Sequence, residues 1–181
     1  MRIGIDISQL AYKNTGVANY LEGLLSELLK SDRENEYILF YSSLRTRIQN
    51  SKLQFKSQNY SSKVKIKTFR LPPSLLDVIW NRLHVMPIEN FIGQVDLFIT
   101  SDWTEPPVKK AKKATIIYDL IVYKHPEETD KKIIQTQKRK LKWVKKESDI
   151  VFCISESTKN DAIEVLGLDK NKVKVIYPGI I

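Results

Sequence analysis

Seven residues with ionisable or phenolic side chains lie in or beside polar stretches that each follow a short apolar run. The stretches are SQLAYKNTG, TSDWTEPP, YDLIVYKHPEE and SESTKND. The residues are Asp6, Asp102, Glu105, Tyr118, Asp119, His125 and Glu156. Carboxylate, phenol and imidazole groups hold polar molecules through hydrogen bonds and charge. A fold that brings the four stretches together would make their shared surface a binding cleft.

Some of these residues also have structural interpretations when each is taken alone. Asp102 and Asp119 can cap turns. His125 precedes Pro126, as a loop residue would, and Trp103 can anchor a loop. One Cys and two His offer no zinc-ligand spacing, and the chain contains neither GxGxxG after its first strand nor GxxxxGK[ST]. We therefore expect no metal site, no dinucleotide fingerprint and no P-loop.

The first polar stretch connects a predicted strand to a predicted helix, and it ends at Thr15 and Gly16. In open α/β sheets, such loops bind anions because free backbone N–H groups and the helix dipole point into them. Gly16 has no Cβ atom, so a ligand can approach its backbone closely. The alternative is that this glycine only eases a turn.

The elements that must position these residues alternate along the chain. Seven apolar runs predict strands near residues 2–7, 37–41, 64–68, 97–99, 115–117, 150–154 and 173–176. Apolar residues at helical spacing predict helices near 17–31, 74–91, 127–148 and 155–166, with a weaker pattern at 44–49. The polar, serine-rich segment 50–63 is predicted to be a mobile excursion.

The last predicted helix has recognisable ends. Ser155 follows the apolar run IVFCI and can cap the helix with its hydroxyl group, while Glu156 in the first turn suits the helix dipole. Gly167 follows Leu166, where a left-handed glycine commonly ends a helix.

This alternation predicts an α/β fold. We expect a Rossmann-like, doubly wound and mostly parallel sheet of about seven strands, with helices on both faces. The loops at the carboxyl ends of the strands share one rim in such a sheet. The four polar stretches therefore meet at that rim.

The chain is basic, with 30 Lys and Arg against 21 Asp and Glu and a net charge of +9. Residues 131–146 hold eight basic residues and no acidic one, and 109–113 add four more. Such runs are commonly solvated helix faces, but they also suit an anionic partner. The candidates for contact with an anion or a membrane surface are Lys138, Arg139, Lys142 and Lys145.

The single cysteine, Cys153, lies in an apolar run and cannot form an internal disulfide, which favours a reducing compartment. No segment resembles a signal peptide, and no apolar run approaches the length of a membrane span. We therefore expect a cytoplasmic protein, with peripheral contact at the inner face of the membrane as an option.

Five stretches, in this order, resemble the N-terminal half of the group 1 glycosyltransferases, which form the retaining family 4 with the GT-B fold. They are RIGIDISQLAYKNTGVANYLEGLLSELL, IWNRLHVMPIE, DLFITSDWTEPP, ATIIYDLIVYKHPEE and VFCISESTKNDAIEVLGLDKNKVKVIYPGI. The resemblance covers nearly the whole chain except roughly residues 44–63. Its specificity comes from the order and spacing of the five stretches together.

The resemblance implies roles for individual residues. Gly16 matches the glycine that faces the cleft between two Rossmann-like domains, near the diphosphate of the donor and near the acceptor. Tyr118 and Asp119 stand where the family commonly has His-Asp close to the centre of sugar transfer, and they are the predicted catalytic residues. A tyrosine is neutral at pH 7, so Tyr118 can form hydrogen bonds but cannot act as a histidine would. The predicted substrate-binding residues are Thr15, Gly16, Asp102, Trp103, His125, Ser155 and Glu156.

The implied activity is transfer of a hexosyl group from a nucleotide-sugar to a glycan or lipid-linked acceptor, with retention, in polysaccharide biosynthesis. In similar enzymes, a C-terminal domain that follows a stretch like VIYPGI binds the nucleotide-sugar. We therefore expect residues 1–181 to form a single acceptor-side domain, inactive without the donor-binding domain. The donor is a co-substrate, and no other cofactor is expected.

One alternative is a non-enzymatic basic module that binds nucleic acid or an anionic membrane. Nucleic-acid binding would need RNA-reading motifs or aromatic stacking platforms, and the sequence shows neither. We therefore expect no nucleic-acid partner.

Overall fold

The computed structural model describes residues 1–44 and 63–179. The predicted mobile excursion at 50–63, apart from its last residue, lies outside the described residues, as does the weak helical pattern at 44–49 beyond Leu44. The described chain forms an α/β structure around one sheet of seven strands. The predicted fold class is confirmed.

All seven predicted strands are present, with bounds that differ from the prediction by a few residues. They are β1 (Arg2–Asp6), β2 (Glu36–Ser42), β3 (Val64–Phe69), β4 (Leu97–Thr100), β5 (Lys112–Ile117), β6 (Ile150–Cys153) and β7 (Val173–Val175). Their order is β3-β2-β1-β4-β5-β6-β7, and every neighbouring pair is parallel. The central strands are rich in isoleucine, leucine and phenylalanine, as expected where helices cover both faces.

Within the described ranges, six α-helices connect or flank these strands. They are α1 (Gly16–Ser31), α2 (Pro73–Leu76), α3 (Glu89–Ile92), α4 (Ile121–Lys124), α5 (Lys131–Glu147) and α6 (Glu156–Glu164). Helix α1 packs its buried leucines against one face of the sheet, where Ile3 pairs with Tyr37 and Ile5 with Leu39. The opposite face packs Phe40 and Phe98 against Trp80, in the segment between β3 and β4.

The single helix predicted at 74–91 is wrong. Helix α2 continues as a π-helix over Asp77–Arg82, and then the chain turns through two left-handed residues, His84 with φ 53° and Met86 with φ 60°. Met86 precedes Pro87, and the proline ring disfavours a right-handed helical conformation in the residue before it. A separate short helix, α3, follows this break.

The helix predicted at 127–148 starts later than expected. Pro126–Glu128 form a 3₁₀ turn, and α5 begins at Lys131 after Asp130, whose side chain caps it by accepting a hydrogen bond from the Lys132 N–H at 2.8 Å. The preceding stretch, predicted as a loop, also contains the short helix α4.

The predicted N-cap of the last helix is confirmed, whereas the helix ends at Glu164, two residues before the predicted Leu166. Ser155 caps α6 by accepting a hydrogen bond on Oγ from the Thr158 N–H at 3.1 Å. Gly167 has φ 64°, the left-handed conformation that glycine adopts most easily. Cys153 is fully buried, and burial raises the pKa of its thiol to about 12, so this cysteine is a core residue rather than a reactive one.

Candidate functional site

The order of the strands creates a crevice at the carboxyl ends of β1 and β4. Successive connections from β1 run toward β2 and β3, whereas those from β4 run toward β5, β6 and β7, so the winding direction reverses between two neighbouring strands. Ligands of open parallel sheets bind outside the carboxyl ends of the strands at such a switch point. Four of the predicted rim residues lie at or beside this point: Asp6 ends β1, Asp102 follows β4, and Tyr118 and Asp119 follow the neighbouring strand β5.

The loop after β1 begins with an ordered turn. Asp6 is buried, and its Oδ1 atom accepts a hydrogen bond from the Ser8 N–H at 2.9 Å. The Oγ atom of Ser8 accepts another from the Ser42 N–H at 3.0 Å, which ties the loop to the end of β2. Burial raises the pKa of Asp6, although the hydrogen bonds from Ser8 and the charge of Lys140 oppose the increase.

Helix α1 starts at Gly16, beside this loop. Thr15 caps the helix, because its Oγ1 atom accepts a hydrogen bond from the Ala18 N–H at 3.2 Å. A Cβ atom added to Gly16 would meet no described atom within 4 Å, and the left-handed residue of the loop is Asn14, with φ 64°. Neither turn geometry nor packing in the described part of the chain requires a glycine at position 16. The open space there suits the close approach of a ligand.

Tyr118 follows β5 and is held in place from two sides. Its OH group lies 3.0 Å from the Oγ atom of Ser101, and its ring meets Tyr20 of α1 edge to face, with centroids 5.5 Å apart. Tyr20 also donates a hydrogen bond to the carbonyl of Ile176, at 2.9 Å. Burial raises the pKa of Tyr118 well above that of a free tyrosine, so its phenol keeps its proton at neutral pH.

Lys140 is the functional candidate that sequence reasoning missed. It lies in the basic helix α5, yet it is only 2% exposed, and its Nζ atom donates a hydrogen bond to the carbonyl of Ser101. Burial lowers the pKa of Lys140, although the charges of surrounding carboxylates oppose this shift. Those carboxylates belong to Glu105, Asp102 and Asp6. The sequence spacing does indicate that Lys140 is buried, because this residue lies four positions before the buried Val144 and therefore on the same, inner side of the helix.

Asp102 and Trp103 are half-buried in the loop after β4. Gln137 of α5 donates a hydrogen bond from Nε2 to the Asp102 carbonyl at 3.1 Å and another to its Oδ1 atom at 3.2 Å. The carbonyl of Trp103 accepts one from Nδ2 of Asn81 at 2.9 Å. Burial raises the pKa of Asp102. The loop is therefore fixed from α5 on one side and from the π-helix on the other.

The remaining predicted residues lie on the outer part of the rim. Asp119 is exposed, and its Oδ1 atom accepts a hydrogen bond from the Ile121 N–H at 3.1 Å, so it does cap a turn. His125 is exposed and lies 3.4 Å from Oε1 of Glu127. Ser155 caps α6, and the exposed Glu156 forms an ion pair with Lys159 at 3.0 Å.

Glu105 is not part of the rim, and its predicted place in the cleft is wrong. Its side chain is fully buried and accepts hydrogen bonds from the hydroxyl groups of Thr100 at 2.7 Å and Thr115 at 2.9 Å. It also forms an ion pair with Lys113 at 3.3 Å. The loop turns inward because the Glu105 N–H donates a hydrogen bond to Oδ1 of Asn81 at 3.0 Å. Glu105 therefore pairs with the buried Lys113 in the interior of the protein and does not line the cleft.

The four predicted cations of α5 do not face one partner. Arg139 is ion-paired with Asp77 at 2.8 Å, whereas Lys138 lies over the ring of Tyr123 at 5.0 Å. Lys142 lies 5.8 Å from the Trp143 ring, on the exposed side of the helix, and Lys145 extends toward Gly167. Contact of these side chains with an anionic surface stays a prediction. No helix in the described ranges has the length and apolar character needed to cross a membrane.

One group of three potential metal ligands occurs within residues 1–44 and 63–179: the ligand atoms of His125, Glu127 and Glu128 lie within 4.8 Å of one another. All three side chains are exposed. Nothing else about this group indicates a metal site, since exposed acidic residues are commonly close together on protein surfaces.

Comparison with known proteins agrees with this architecture. The family model described as Glycosyltransferase Family 4 matches residues 14–181, from the end of the first crevice loop onward. A search of curated proteins finds no match. The match spans six of the seven strands and both helices that border the crevice, α1 and α5. Because the family model matches most of the chain and the sheet is parallel and doubly wound, the chain belongs to Glycosyltransferase Family 4.

Proposed function

We propose that this chain is the acceptor-side domain of a retaining glycosyltransferase. It would help to transfer a hexosyl group from a nucleotide-sugar to a glycan or lipid-linked acceptor, as in polysaccharide biosynthesis. Family membership supports a transferase with a sugar donor and an acceptor. The donor nucleotide, the acceptor and retention are parts of the proposal.

The observation that supports the proposal is the empty space around the Cβ position of Gly16. The first turn of a helix leaves backbone N–H groups without intrahelical acceptors, and the helix dipole favours negative charge there. In α1 this turn borders the switch-point crevice, and its first residue has no side chain and no atomic neighbours at the Cβ position. A diphosphate is an anion that can use such a position at close range.

Tyr118 is proposed to position a sugar hydroxyl group rather than to accept a proton. Its phenol is anchored by Ser101 and remains protonated, so it can donate or accept a hydrogen bond at a fixed point. Asp119 follows it at the exposed rim, where a carboxylate can accept a hydrogen bond from the acceptor or the transferred sugar.

The other predicted contacts fall into two groups. Thr15 and Ser155 cap helices, so they would shape the rim mainly by fixing α1 and α6. Asp102 and Trp103 would line the crevice from the loop after β4, and His125 and Glu156 would contact larger acceptors at the outer rim.

Retaining transfer places the leaving diphosphate and the incoming hydroxyl group on the same face of the sugar. The bond from the anomeric carbon to the diphosphate oxygen breaks with its electron pair passing to the diphosphate, a bond to the acceptor oxygen forms, and the proton of the acceptor hydroxyl group passes to the leaving diphosphate. Positioning and electrostatic stabilisation of the leaving group are the main demands of this reaction. In the proposal, this chain supplies the acceptor side, and a second domain binds most of the nucleotide-sugar.

The test uses the full-length protein with a panel of nucleotide-sugars and candidate glycan or lipid-linked acceptors. We expect transfer from one donor, and NMR of the product should show the same anomeric configuration as the donor. An inverted product would contradict retention, and absence of transfer or donor hydrolysis across the panel would contradict the enzymatic function itself.

A further inference from the structure

We propose that Asn81 is a positioning residue that fixes the loop after β4 in the conformation that binds the acceptor. Asn81 lies in the π-helix Asp77–Arg82 and is only 3% exposed. The part of the loop concerned is residues 101–105, which include Asp102 and Trp103 at the crevice. The inference rests on the proposed function, because it assigns to Asn81 a role in recognising the acceptor.

The side-chain amide of Asn81 holds the loop at two points. Its Nδ2 atom donates a hydrogen bond to the carbonyl of Trp103 at 2.9 Å, and its Oδ1 atom accepts one from the Glu105 N–H at 3.0 Å. A carbonyl can only accept and an N–H can only donate, so the two contacts also determine which way the amide points. One side chain therefore fixes the backbone on both sides of Thr104.

The loop depends on side chains for the hydrogen bonds of its backbone. Within the described ranges, no backbone group of residues 102–106 forms a hydrogen bond with another backbone group. Gln137 of α5 donates to the carbonyl of Asp102 at 3.1 Å, and Asn81 supplies the partners of Trp103 and Glu105. Buried backbone groups need such partners. Asn81 thus provides bonds that neither the sheet nor a helix provides here.

Asn81 is itself anchored to helix α5 by contacts that do not involve the loop. Its Nδ2 atom donates a second hydrogen bond, to Oδ1 of Asp77 at 3.0 Å. Asp77 forms ion pairs with Arg82 at 3.0 Å and with Arg139 of α5 at 2.8 Å. The backbone carbonyl of Asn81 accepts a hydrogen bond from Nε1 of Trp143 at 2.8 Å. Helix α5 therefore determines where the amide lies.

The π-helix makes the second of these anchors possible. In an α-helix, the carbonyl of Asn81 would accept a hydrogen bond from the N–H of Val85, four residues later. Here the Val85 N–H donates to Ile79 at 3.0 Å, and the Leu83 N–H donates to Val78 at 3.0 Å, the five-residue spacing of a π-helix. The carbonyl of Asn81 is thereby available to α5. Single π-helical turns occur frequently at functional sites.

The loop side chains at the crevice remain available to a ligand. Asn81 contacts only the backbone of the loop. Among the described residues, none forms a hydrogen bond with the indole group of Trp103 or stacks on it. Binding sites commonly combine an aromatic side chain with a few fixed polar groups. Trp103 and the carboxylate of Asp102 would provide both to an acceptor, at a spacing that the backbone contacts of Asn81 maintain.

The kinetic test uses the full-length protein with the donor and acceptor that the panel described above identifies. Asn81→Ala should raise KM for the acceptor about tenfold, because a displaced loop no longer aligns the acceptor. KM for the donor should stay within about twofold of the wild-type value. Asn81→Asp, which is nearly isosteric and creates no cavity, should also raise KM for the acceptor because it removes the donor to Trp103.

Hydrogen–deuterium exchange of the same proteins measures the loop directly and needs no substrate. The peptide of interest covers residues 100–108, in which Pro106 and Pro107 have no N–H group. The Glu105 amide should exchange about tenfold faster in Asn81→Ala than in the wild type, because it loses its acceptor. This result would show that the amide of Asn81 holds the loop.

Tyr37→Phe is the matched control for lost stability. Tyr37 is only 1% exposed and lies near the amino end of β2, where its OH group donates a hydrogen bond to Asp32. The variant loses a hydrogen bond of a buried side chain at the opposite end of the sheet from the crevice. It should lower the midpoint of urea unfolding but leave both KM values and the exchange of residues 100–108 unchanged.

Three results would overturn the proposal. They are wild-type exchange of the Glu105 amide in Asn81→Ala, a wild-type KM for the acceptor in both Asn81 variants, and an equal rise of KM for donor and acceptor. The second would mean that Asn81 only stabilises the fold. Absence of transfer by the wild type would contradict the proposed function instead. The exchange measurement distinguishes the two failures, since it requires neither donor nor acceptor.

Discussion

Lys140 donates a hydrogen bond from its ε-ammonium group to the backbone carbonyl of Ser101, so the basic helix α5 supports the loop that follows β4. Ser101 contacts the phenol of Tyr118 through its own hydroxyl group, at 3.0 Å. The buried side chain of Lys140 and the phenol at the crevice are therefore joined through a single residue. The inner side of α5 organises the candidate site, whereas its outer lysines face solvent.

The first prediction concerns the buried Lys140 itself. Lys140→Met should lower the free energy of unfolding by about 3 kcal/mol, because it leaves the buried Ser101 carbonyl without its donor and removes the amine that lies among Asp6, Asp102 and Glu105. The comparison is Lys142→Met, the same substitution at an exposed position two residues later, which should change stability by less than about 0.5 kcal/mol. Urea unfolding measures both, and equal effects would contradict a structural role for Lys140.

The second prediction concerns alkaline pH. Burial raises the pKa of Tyr118 above the value of 10.0 for a free tyrosine, so above pH 10.0 the unfolded chain loses this proton while the folded chain keeps it. The folded state then binds more protons, and stability falls as pH rises. Tyr118→Phe lacks this contribution. Between pH 9 and pH 11, the unfolding free energy of the Tyr118→Phe variant should therefore decrease by about 1.4 kcal/mol less than that of the wild type.

Tyr177→Phe is the control for this measurement, because Tyr177 is 64% exposed. Its stability should follow the pH dependence of the wild type. If Tyr118→Phe followed the wild type as well, the phenol of Tyr118 would be open to solvent and the enclosed geometry would be incorrect.

The third prediction separates the two interpretations of Gly16. Gly16→Ala and Gly23→Ala both add a methyl group to α1 where no described atom lies within 4 Å. Both should leave stability unchanged or raise it by up to about 1 kcal/mol, since alanine favours the helix. Only Gly16→Ala should reduce turnover of the full-length protein. Wild-type kinetics in Gly16→Ala would show that no substrate approaches this position closely.

The fourth prediction concerns the domain on its own. The seven-stranded sheet with helices on both faces should give cooperative unfolding in a chain of this size. If a second domain supplies the other wall of the cleft, as proposed, residues 1–181 alone should bind nucleotide-sugars only weakly and show no transfer. Calorimetry with candidate donors tests this. Micromolar binding, about −8 kcal/mol, would place the donor site on this chain.

The strands could be predicted because each is a short apolar run that the covering helices bury on both faces. Leu39 and Phe40 are both completely buried although their side chains point to opposite faces, which is why β2 reads as a continuous apolar run. Ser155 and Gly167 mark the ends of α6 through local chemistry, a hydroxyl cap and a left-handed glycine, and such local effects are readable without the tertiary structure.

The segment between β3 and β4 could not be predicted from apolar spacing alone. Leu76, Ile79 and Trp80 keep a helical spacing, but the tertiary structure imposes a π-helix and a break after it. Pro87 was the available indication, because a proline inside a helical pattern commonly ends the helix before it.

The site was predicted at the level of loops but not of side-chain direction. Glu105 and Asp102 belong to one polar stretch, yet only Asp102 lies at the crevice, since Glu105 turns inward to the buried Lys113. Lys140 was counted with its basic neighbours because charge composition does not distinguish the inner from the outer side of a helix. Such pairings depend on which elements pack together, and that information is not local.

The order of the strands leaves β3 and β7 at the two ends of the described sheet. Lys65 and Lys67 alternate with apolar residues along β3, and Lys174 stands in the middle of β7, all with exposed side chains. A second copy that paired β3 with β3 would bring lysines close to lysines, and their repulsion would oppose the pairing. Charged residues of this kind protect exposed sheet edges from adding further strands. In the described part of the chain, the lysines of β3 and β7 therefore oppose the addition of a strand at either end of the sheet.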